Sequence, residues 1–447
     1  MVKSPAMSQP ATPRVEQQQG TLASSTARRQ GAQLGWSLAG ISTLLLSYLI
    51  AVGLHKAALV TYQFPQTVLW CALPYMLAAH WLYRGSGLPA AERSSLLVVT
   101  TAIPFLLTPL SFALLQRPYS RGAVVLVYVL STAWFVLGDW LHRRRHAQRL
   151  LYLDAGVPAR LQRLIGKELS RNPSIRLEPW PSDASASGPM PAGDGVVLER
   201  HVPPSDGRSQ LLSSLKLHHV RLYSVEAVAE LLSGRKMLPE GEEDDLWQID
   251  GNPAYDVAKR AIDVALVLLF APLWVPLTAL VALAVKIDSP GAALFSQMRV
   301  GLHGRQFRIW KLRSMRHETL DASARFAVVD DERITRLGRF IRRARLDELP
   351  QLWNVLRGHM SLIGPRPEQE RFVREFAQRI PCYPYRHLVR PGLTGWAQVQ
   401  QGYAGNEEET AIKLSYDLYY VTHYSLAMDL LIYFKTTRIV LTGFGSR

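Results

Sequence analysis

The stretch VALVLLFAPLWVPLTALVALAV, residues 264–285, carries no charge and is bounded by Lys259 and Arg260 on one side and Lys286 on the other. About 20 apolar residues are enough to cross a bilayer, so length alone makes this a span. Pro272 and Pro276 interrupt it near the middle. Each removes a backbone donor and crowds the preceding turn, which favours a break. The two outcomes place everything beyond Lys286 on opposite sides of a membrane. A hairpin over 259–286 that enters and leaves on one side keeps both basic flanks against the same leaflet. Hydropathy does not choose between them. The chemistry downstream does, and it requires the hairpin.

Upstream, residues 34–54 and 57–83 are uncharged, and 96–115 and 122–141 repeat the pattern with Asp139 as the one charge. Four such stretches in a row predict four transmembrane helices over 34–141. Lys3, Arg14, Arg28 and Arg29 precede them and Arg143, Arg144, Arg145 and Arg149 follow, which puts both flanks on the cytoplasmic side. Arg117 and Arg121 weigh the other way. Residues 1–33, rich in Ser, Gln, Ala and Pro, read as a disordered tail without the short apolar core of a cleaved signal peptide. The mean hydropathy of +0.01 averages over these blocks and hides them. A net charge of +15 asks for acidic partners such as anionic lipid, phosphorylated substrates or nucleic acid. Cys71 and Cys382 exclude a disulfide framework and a four-cysteine zinc site.

Residues 142–251 have a soluble composition. Short apolar runs at 150–153, 196–198 and 220–223 alternate with helical patterns at 159–170 and 225–233. These predict a reduced, Rossmann-like α/β domain with parallel strands. Its first strand runs into Asp154-Ala155-Gly156 and lacks the G-x-G-x-x-G fingerprint, so a structural or regulatory role is expected before nucleotide binding. Residues 182–194, rich in Ser, Gly and Pro, read as a mobile loop.

Three features carry chemistry beyond Lys286. Basic and apolar residues alternate from Phe307 to Met315, which predicts a strand with one cationic face. Arg333, Arg336, Arg339 and Arg342 recur every third residue opposite Ile334, Leu337, Phe340 and Ile341, predicting an amphipathic helix on anionic headgroups. That helix delivers the chain to Asp347-Glu348-Leu349-Pro350, with Pro350 placed to begin a new helix. A carboxylate there can hold a divalent metal or attack phosphorus. Finally, Gly364-Pro365-Arg366-Pro367 and Arg390-Pro391-Gly392 each fix a turn from which an arginine can fork a phosphate.

The order Lys311-x-Arg313-Ser314-Met315, Leu346-Asp347-Glu348-Leu349-Pro350-Gln351-Leu352, Gly364-Pro365-Arg366-Pro367 and Arg390-Pro391-Gly392-Leu393-Thr394-Gly395-Trp396-Ala397-Gln398-Val399 strongly resembles the bacterial sugar transferase family. These are the monotopic-type phosphoglycosyl transferases that start exopolysaccharide and O-antigen assembly. The close resemblance covers residues 256–447, while the four spans and α/β domain more loosely resemble the large polyprenyl-phosphate hexose-1-phosphate transferases. It implies transfer of a sugar 1-phosphate from a UDP-sugar to a polyprenyl phosphate such as undecaprenyl phosphate, with release of UMP, at the cytoplasmic face of the bacterial inner membrane. By the same resemblance Asp347 is the nucleophile of a phosphosugar-aspartyl intermediate and Glu348 helps bind Mg²⁺. Arg366 and Arg342 then meet substrate, with Lys311, Arg313 and Arg390 in the surrounding basic motifs. Glucose or galactose is the expected sugar, N-acetylated sugars are allowed, and so is a homodimer.

Two departures stand out. Ala271-Pro272 replaces the usual Ser-Pro of the re-entrant break, and Gln400-Gln401-Gly402-Tyr403 stands where the family often has Asn-Gly-Arg. The rival classes are a catalytically reduced membrane scaffold for polysaccharide assembly and a nucleic-acid-processing protein. The intact Asp347-Glu348 pair weighs against the first. Cations that accompany amphipathic and membrane segments weigh against the second, so no nucleic-acid partner is expected.

Overall fold

The computed structural model describes residues 22–84, 93–145, 148–171, 175–181, 194–200, 202–203, 205–218, 220–238, 251–315, 333–380, 382–401 and 407–442. It divides into two compact units, Met1–Ser233 and Gly234–Arg447.

The first unit begins with helices α1 (Leu22–Lys56), α2 (Gln63–Trp70), α3 (Ala72–Arg84), α4 (Arg93–Leu114) and α5 (Arg121–Arg145). α1 starts at Leu22, so residues 22–33 of the expected tail are helical. That stretch contains no proline and continues the helix of the first apolar run. The predicted second span is two helices, interrupted at Cys71. Pro74, three residues further on, cannot donate to the carbonyl of Trp70, which favours the interruption there. Tyr75, Phe135, Val127, Val68 and Leu44 share one buried cluster. Trp36 and Trp134 stack at 4.4 Å between ring centroids. Each indole N–H donates to the other residue's carbonyl at 3.1 Å, which satisfies two polar groups in an apolar surround. Leu45, Leu46, Leu49, Leu106, Leu110 and Val129 point outward and are exposed. So many outward leucines suit lipid rather than water.

Among the described residues three helices are long and apolar enough to cross a membrane: Gly35–Lys56, Arg121–Leu141 and, in the second unit, Ala271–Asp288. In α4 the apolar helical run is the shorter Thr100–Leu114, with Pro104 and Pro109 inside it.

The first unit ends in a four-stranded sheet of order β2-β1-β3-β4, built from β1 (Gln148–Tyr152), β2 (Ile175–Pro179), β3 (Gly195–Leu198) and β4 (Leu222–Ser224). All pairs are parallel, as the alternation of strand and helix patterns predicts. Helices α6 (Val157–Arg171), α7 (Asp206–Leu217) and α8 (Val225–Ser233) connect and close it. Strand β2, Ile-Arg-Leu-Glu-Pro, is absent from the sequence-based expectation. Its partly charged pattern at a sheet edge carries no continuous apolar run. Residues 182–193 of the expected mobile loop lie outside the described residues.

The second unit opens with α9 (Pro253–Leu269) and α10 (Ala271–Asp288), separated at Phe270, where the backbone leaves helical geometry (φ −91°, ψ 4°). The interruption stands two residues before Pro272, which sits in the first turn of α10 where its missing N–H costs nothing. Both arms rest on the same globular body. From α9, Lys259 pairs with Asp429, Arg260 donates to the carbonyl of Leu356 (2.8 Å), and Asp263 accepts from Ser361 Oγ (2.7 Å). From α10, Val281 and Val285 bury against Leu312 and Ile341. Leu269, Phe270 and Leu273 at the break are exposed.

Beyond the arms come an antiparallel pair, β5 (Leu294–Val300) with β6 (Gln306–Leu312), then α11 (Arg336–Arg343) and α12 (Gln351–Leu356). A parallel pair, β7 (Ser361–Ile363) with β8 (Gly392–Thr394), brackets α13 (Glu370–Arg379), and α14 (Trp396–Gln400), α15 (Glu407–His423) and α16 (Leu426–Thr442) complete the unit. In β7 and β8 the two strands approach so closely that a Cβ on Gly392 would meet the backbone of Ile363 and Gly364. Only glycine fits there.

Candidate active site

Strand β6 alternates its burial, with Phe307 and Ile309 inward and Arg308 outward. Lys311 falls on the inward parity, so a cation ends the row of core residues. The expectation of one cationic face is thus corrected: Arg308 and Lys311 lie on opposite faces because the side-chain period of a strand is two. Arg313, one residue past the strand, is buried and donates to the carbonyls of Pro290 (2.9 Å) and Ser289 (2.6 Å) and to Ser289 Oγ (3.0 Å). It caps the end of α10. These three bonds run to the end of α10, not to Asp347 or Glu348.

Helix α11 begins at Arg336, with the Thr335 side chain accepting from the Gly338 amide (2.8 Å). Arg333 and Ile334 precede it; Ile334 makes a bridge to Met315. Ile341 is buried while Phe340 is 62% exposed, so the apolar stripe is divided between core and surface. Gly338 lies against the Ser314 carbonyl, a contact that a Cβ would obstruct. This docking holds the first turn of the helix against Ser314.

The chain then passes through Arg345, which adopts φ +57°, a left-handed conformation that strains a residue with a Cβ. A single 3₁₀ turn, Leu346–Glu348, follows, and Pro350 leads into α12. The reversal separates two adjacent carboxylates. Glu348 turns inward and is buried. Its Oε1 accepts from Arg366 (2.9 Å) and Lys311 (3.1 Å), and Arg345 lies 3.7 Å from Oε2. Burial opposes its ionisation, but Arg366, Lys311 and Arg345 outweigh it and hold the carboxyl well below the usual range. Asp347 is half-buried, and among the described residues no side chain hydrogen-bonds its carboxylate. Burial and the neighbouring Glu348 charge push it above the ordinary value, against Lys311, Arg342 and Arg345. Lys311 is pulled down by burial, with Arg366 adding to the effect and Glu348 opposing it.

Of the residues singled out from the sequence, Asp347, Glu348, Lys311 and Arg366 come together, and Arg342 lies close enough to act on Asp347. Among the described residues Arg390 makes no ion pair with either carboxylate. Its carbonyl lies against Gly364, and its Nε is buried without a partner. Arg345 escaped the sequence reading, although its spacing to Glu348 on a turn was a usable signal.

A divalent cation can be tested against these oxygens. Glu348 Oε1 is taken by two cations, whereas Oε2, among the described residues, has the partly exposed Arg345 as its ion-pair partner at 3.7 Å. Among the described residues no three His, Cys, Asp or Glu side chains converge as a cage. The donor set suits Mg²⁺, which takes one or two carboxylates and completes its shell with water and substrate phosphates.

Residues 254–443 match the sequence model of a family described as bacterial sugar transferase. Over 378 residues, 83% of this chain and 86% of the relative, the chain is 37% identical to the UDP-N-acetylgalactosamine-undecaprenyl-phosphate N-acetylgalactosaminephosphotransferase of Aeromonas hydrophila. It is 45% identical over 192 residues, 42% of this chain and 72% of the relative, to the UDP-glucose:undecaprenyl-phosphate glucose-1-phosphate transferase of Caulobacter vibrioides. An Escherichia coli protein of the same name is 41% identical over 191 residues, 42% of this chain and 40% of that relative.

Proposed function

The chain belongs to the bacterial sugar transferase family, and from that premise we propose that it moves a sugar 1-phosphate from a UDP-sugar to undecaprenyl phosphate, releasing UMP. The observation that carries this reading is the division of labour between Asp347 and Glu348. One carboxylate is uncommitted and half-buried, while its neighbour draws Lys311 and Arg366 into the place where a diphosphate would need cations.

In the proposed first step an Asp347 carboxylate oxygen attacks the phosphorus that bears the sugar. The bridging oxygen leaves with UMP, and a phosphosugar-aspartyl acyl phosphate remains. In the second step a phosphate oxygen of the lipid carrier attacks the same phosphorus and expels the Asp347 carboxylate. Lys311, Arg342 and Arg366 stabilise charge on the phosphoryl oxygens, and Arg390 is the further phosphate contact. Burial of Asp347 leaves its anion poorly solvated, which suits a nucleophile. Glu348, through Oε2, and the substrate phosphates are the proposed holders of Mg²⁺, which would offset the diphosphate's negative charge when bound.

The hairpin reading of α9 and α10 is supported by both arms packing on one globular body, with exposed apolar residues at the break between them. The catalytic side is then the cytoplasmic face of the inner membrane, where the nucleotide sugar resides. Four crossings over 34–141, a Rossmann-like domain over 142–251, a transferase domain over 256–447 and a homodimer complete the proposal. The match to the Aeromonas hydrophila protein extends across the upstream region, whereas the two glucose-named relatives match about two-fifths of the chain. N-acetylgalactosamine therefore joins glucose and galactose as the first sugars to try.

The test is purified full-length protein with undecaprenyl phosphate, Mg²⁺ and a panel of radiolabelled UDP-sugars. Labelled lipid and UMP in equal amounts from one sugar is the expected result. No turnover with any UDP-hexose would favour the scaffold.

A further inference from the structure

Arg366 reaches Glu348 from a loop whose carbonyls are held one after another. Pro365 O accepts from the Gly392 amide (2.9 Å), Arg366 O from Arg386 Nη2 (2.9 Å), Pro367 O from Arg299 Nη1 (3.2 Å) and Glu368 O from the Val300 amide (3.0 Å). Two of these anchors are main-chain amides of β8 and β5, and two are arginine guanidiniums. Of the two arginines, Arg386 is the one that holds Arg366 itself. Arg386 is buried, and the nitrogen that holds Arg366 O also donates to Asp417 Oδ2 at 2.8 Å. Its other terminal nitrogen donates to Tyr383 Oη at 2.7 Å.

We infer that the buried Arg386–Asp417 pair is a positioning device that aims the Arg366 guanidinium at the reacting phosphate. Asp417 fixes the Arg386 guanidinium, the guanidinium fixes the Arg366 peptide, and the peptide sets the direction in which the Arg366 side chain leaves the loop. Pro365 and Pro367 on either side restrict the backbone, and a residue before proline is confined to extended conformations. The orientation of the Arg366 peptide is what remains to be set, and Arg386 sets it. A pair serving stability alone would not need its guanidinium shared with a carbonyl at the edge of the site. Arg386 touches no substrate in this account. It acts through Arg366, and the inference rests on the proposed role of Arg366 at the diphosphate.

Arg386→Lys keeps the charge opposite Asp417 but loses the planar fork that spans Asp417, Tyr383 and Arg366 O. The experiment is a double-mutant cycle on the full-length protein, with UMP release measured for the wild type, Arg386→Lys, Arg366→Lys and the double variant. Misplacing a group that meets the transition state should lower kcat by roughly tenfold to a hundredfold, with KM for the UDP-sugar changing far less. In the Arg366→Lys background the same substitution should cost less than about twofold, because the group being aimed is already altered. Thermal unfolding of Arg386→Lys should stay close to wild type. Equal losses in both backgrounds, or a wild-type kcat for Arg386→Lys, overturn the inference. Wild-type activity of Arg366→Lys would instead overturn the reading of the site on which it rests. If Arg386→Lys does not fold, Tyr383→Phe removes one anchor of the guanidinium while keeping the charge pair, and its cycle with Arg366→Lys must show the same non-additivity or the inference fails.

Discussion

Two of the buried ionic centres among the described residues of the second unit are made of the same residue types, and they differ in what they leave undone. Around Glu348, the cations Lys311, Arg366 and Arg345 converge on one carboxylate while the adjacent Asp347, among the described residues, stays uncommitted. Deeper in, Arg386 pairs with Asp417 at 2.8 Å, and Lys413 (2.7 Å) and Arg299 (3.7 Å) face Glu368. Each centre sets three cations against two carboxylates, so net charge does not separate them. In the deeper one both carboxylates are engaged, whereas beside Glu348 the half-buried Asp347 has, among the described residues, no ion-pair partner. Engaged carboxylates mark a framework, and an open carboxylate among cations marks a place that expects an anionic ligand.

Substitutions should separate the two centres sharply. Asp347→Asn should lower turnover by at least about 10³-fold with insertion and thermal unfolding unchanged, because an amide cannot supply the attacking anion. Near-normal UMP release from that variant would erase the distinction between the centres. Glu348→Gln should lower activity by about 10²- to 10³-fold and shift the Mg²⁺ titration, since Lys311 and Arg366 lose their shared counter-charge. An unchanged metal titration would remove Glu348 as a ligand. Asp417→Ala should behave differently, unfolding the protein more easily by about 3–5 kcal/mol because it strands the buried Arg386 charge. Denaturant unfolding in detergent would read this.

Acid should also distinguish them. Asp347 must be ionised to attack, and its pKa is raised by burial and by Glu348, so activity should fall at a pH above the ordinary aspartate value of 3.8. Burial opposes ionisation of Glu368, but Lys413, Arg386 and Arg299 hold its pKa down to about 2. A depressed carboxyl pKa contributes stability that is present above the ordinary value of 4.5 and lost as pH falls through the folded one. Loss of activity should therefore precede acid unfolding. Coincident transitions would mean that one centre governs both.

The smallest expected effect concerns the hairpin. With the native cysteines replaced, single cysteines at Ser314 and Thr442 should resist a membrane-impermeant thiol reagent in intact cells and react once the membrane is opened. Labelling from outside would contradict a cytoplasmic site.

Much of the open centre was legible in the sequence, because its parts are short motifs with local causes. The Asp347-Glu348 pair lies at a helix junction signalled by Pro350, Arg366 lies between two prolines, and the apolar run breaks beside Pro272. What escaped depends on distance or parity. Arg386 and Asp417 stand 31 positions apart, and neither belongs to a pattern that reveals the other. Arg313 shares a basic run with Lys311, yet the strand ends between them, so one side chain enters the site and the other caps α10. A cation's role there is fixed by which carbonyls surround it after folding.

The most direct measurement is capture of the covalent intermediate. Purified protein incubated with its UDP-sugar and no lipid acceptor, then acid-quenched and digested, should yield the peptide containing Asp347 heavier by one phosphosugar, with UMP released in step. Adding undecaprenyl phosphate before the quench should discharge it, and Asp347→Asn should never form it. Full turnover by the wild type with no such adduct, or an adduct that persists in Asp347→Asn, would contradict the assignment of Asp347 as nucleophile.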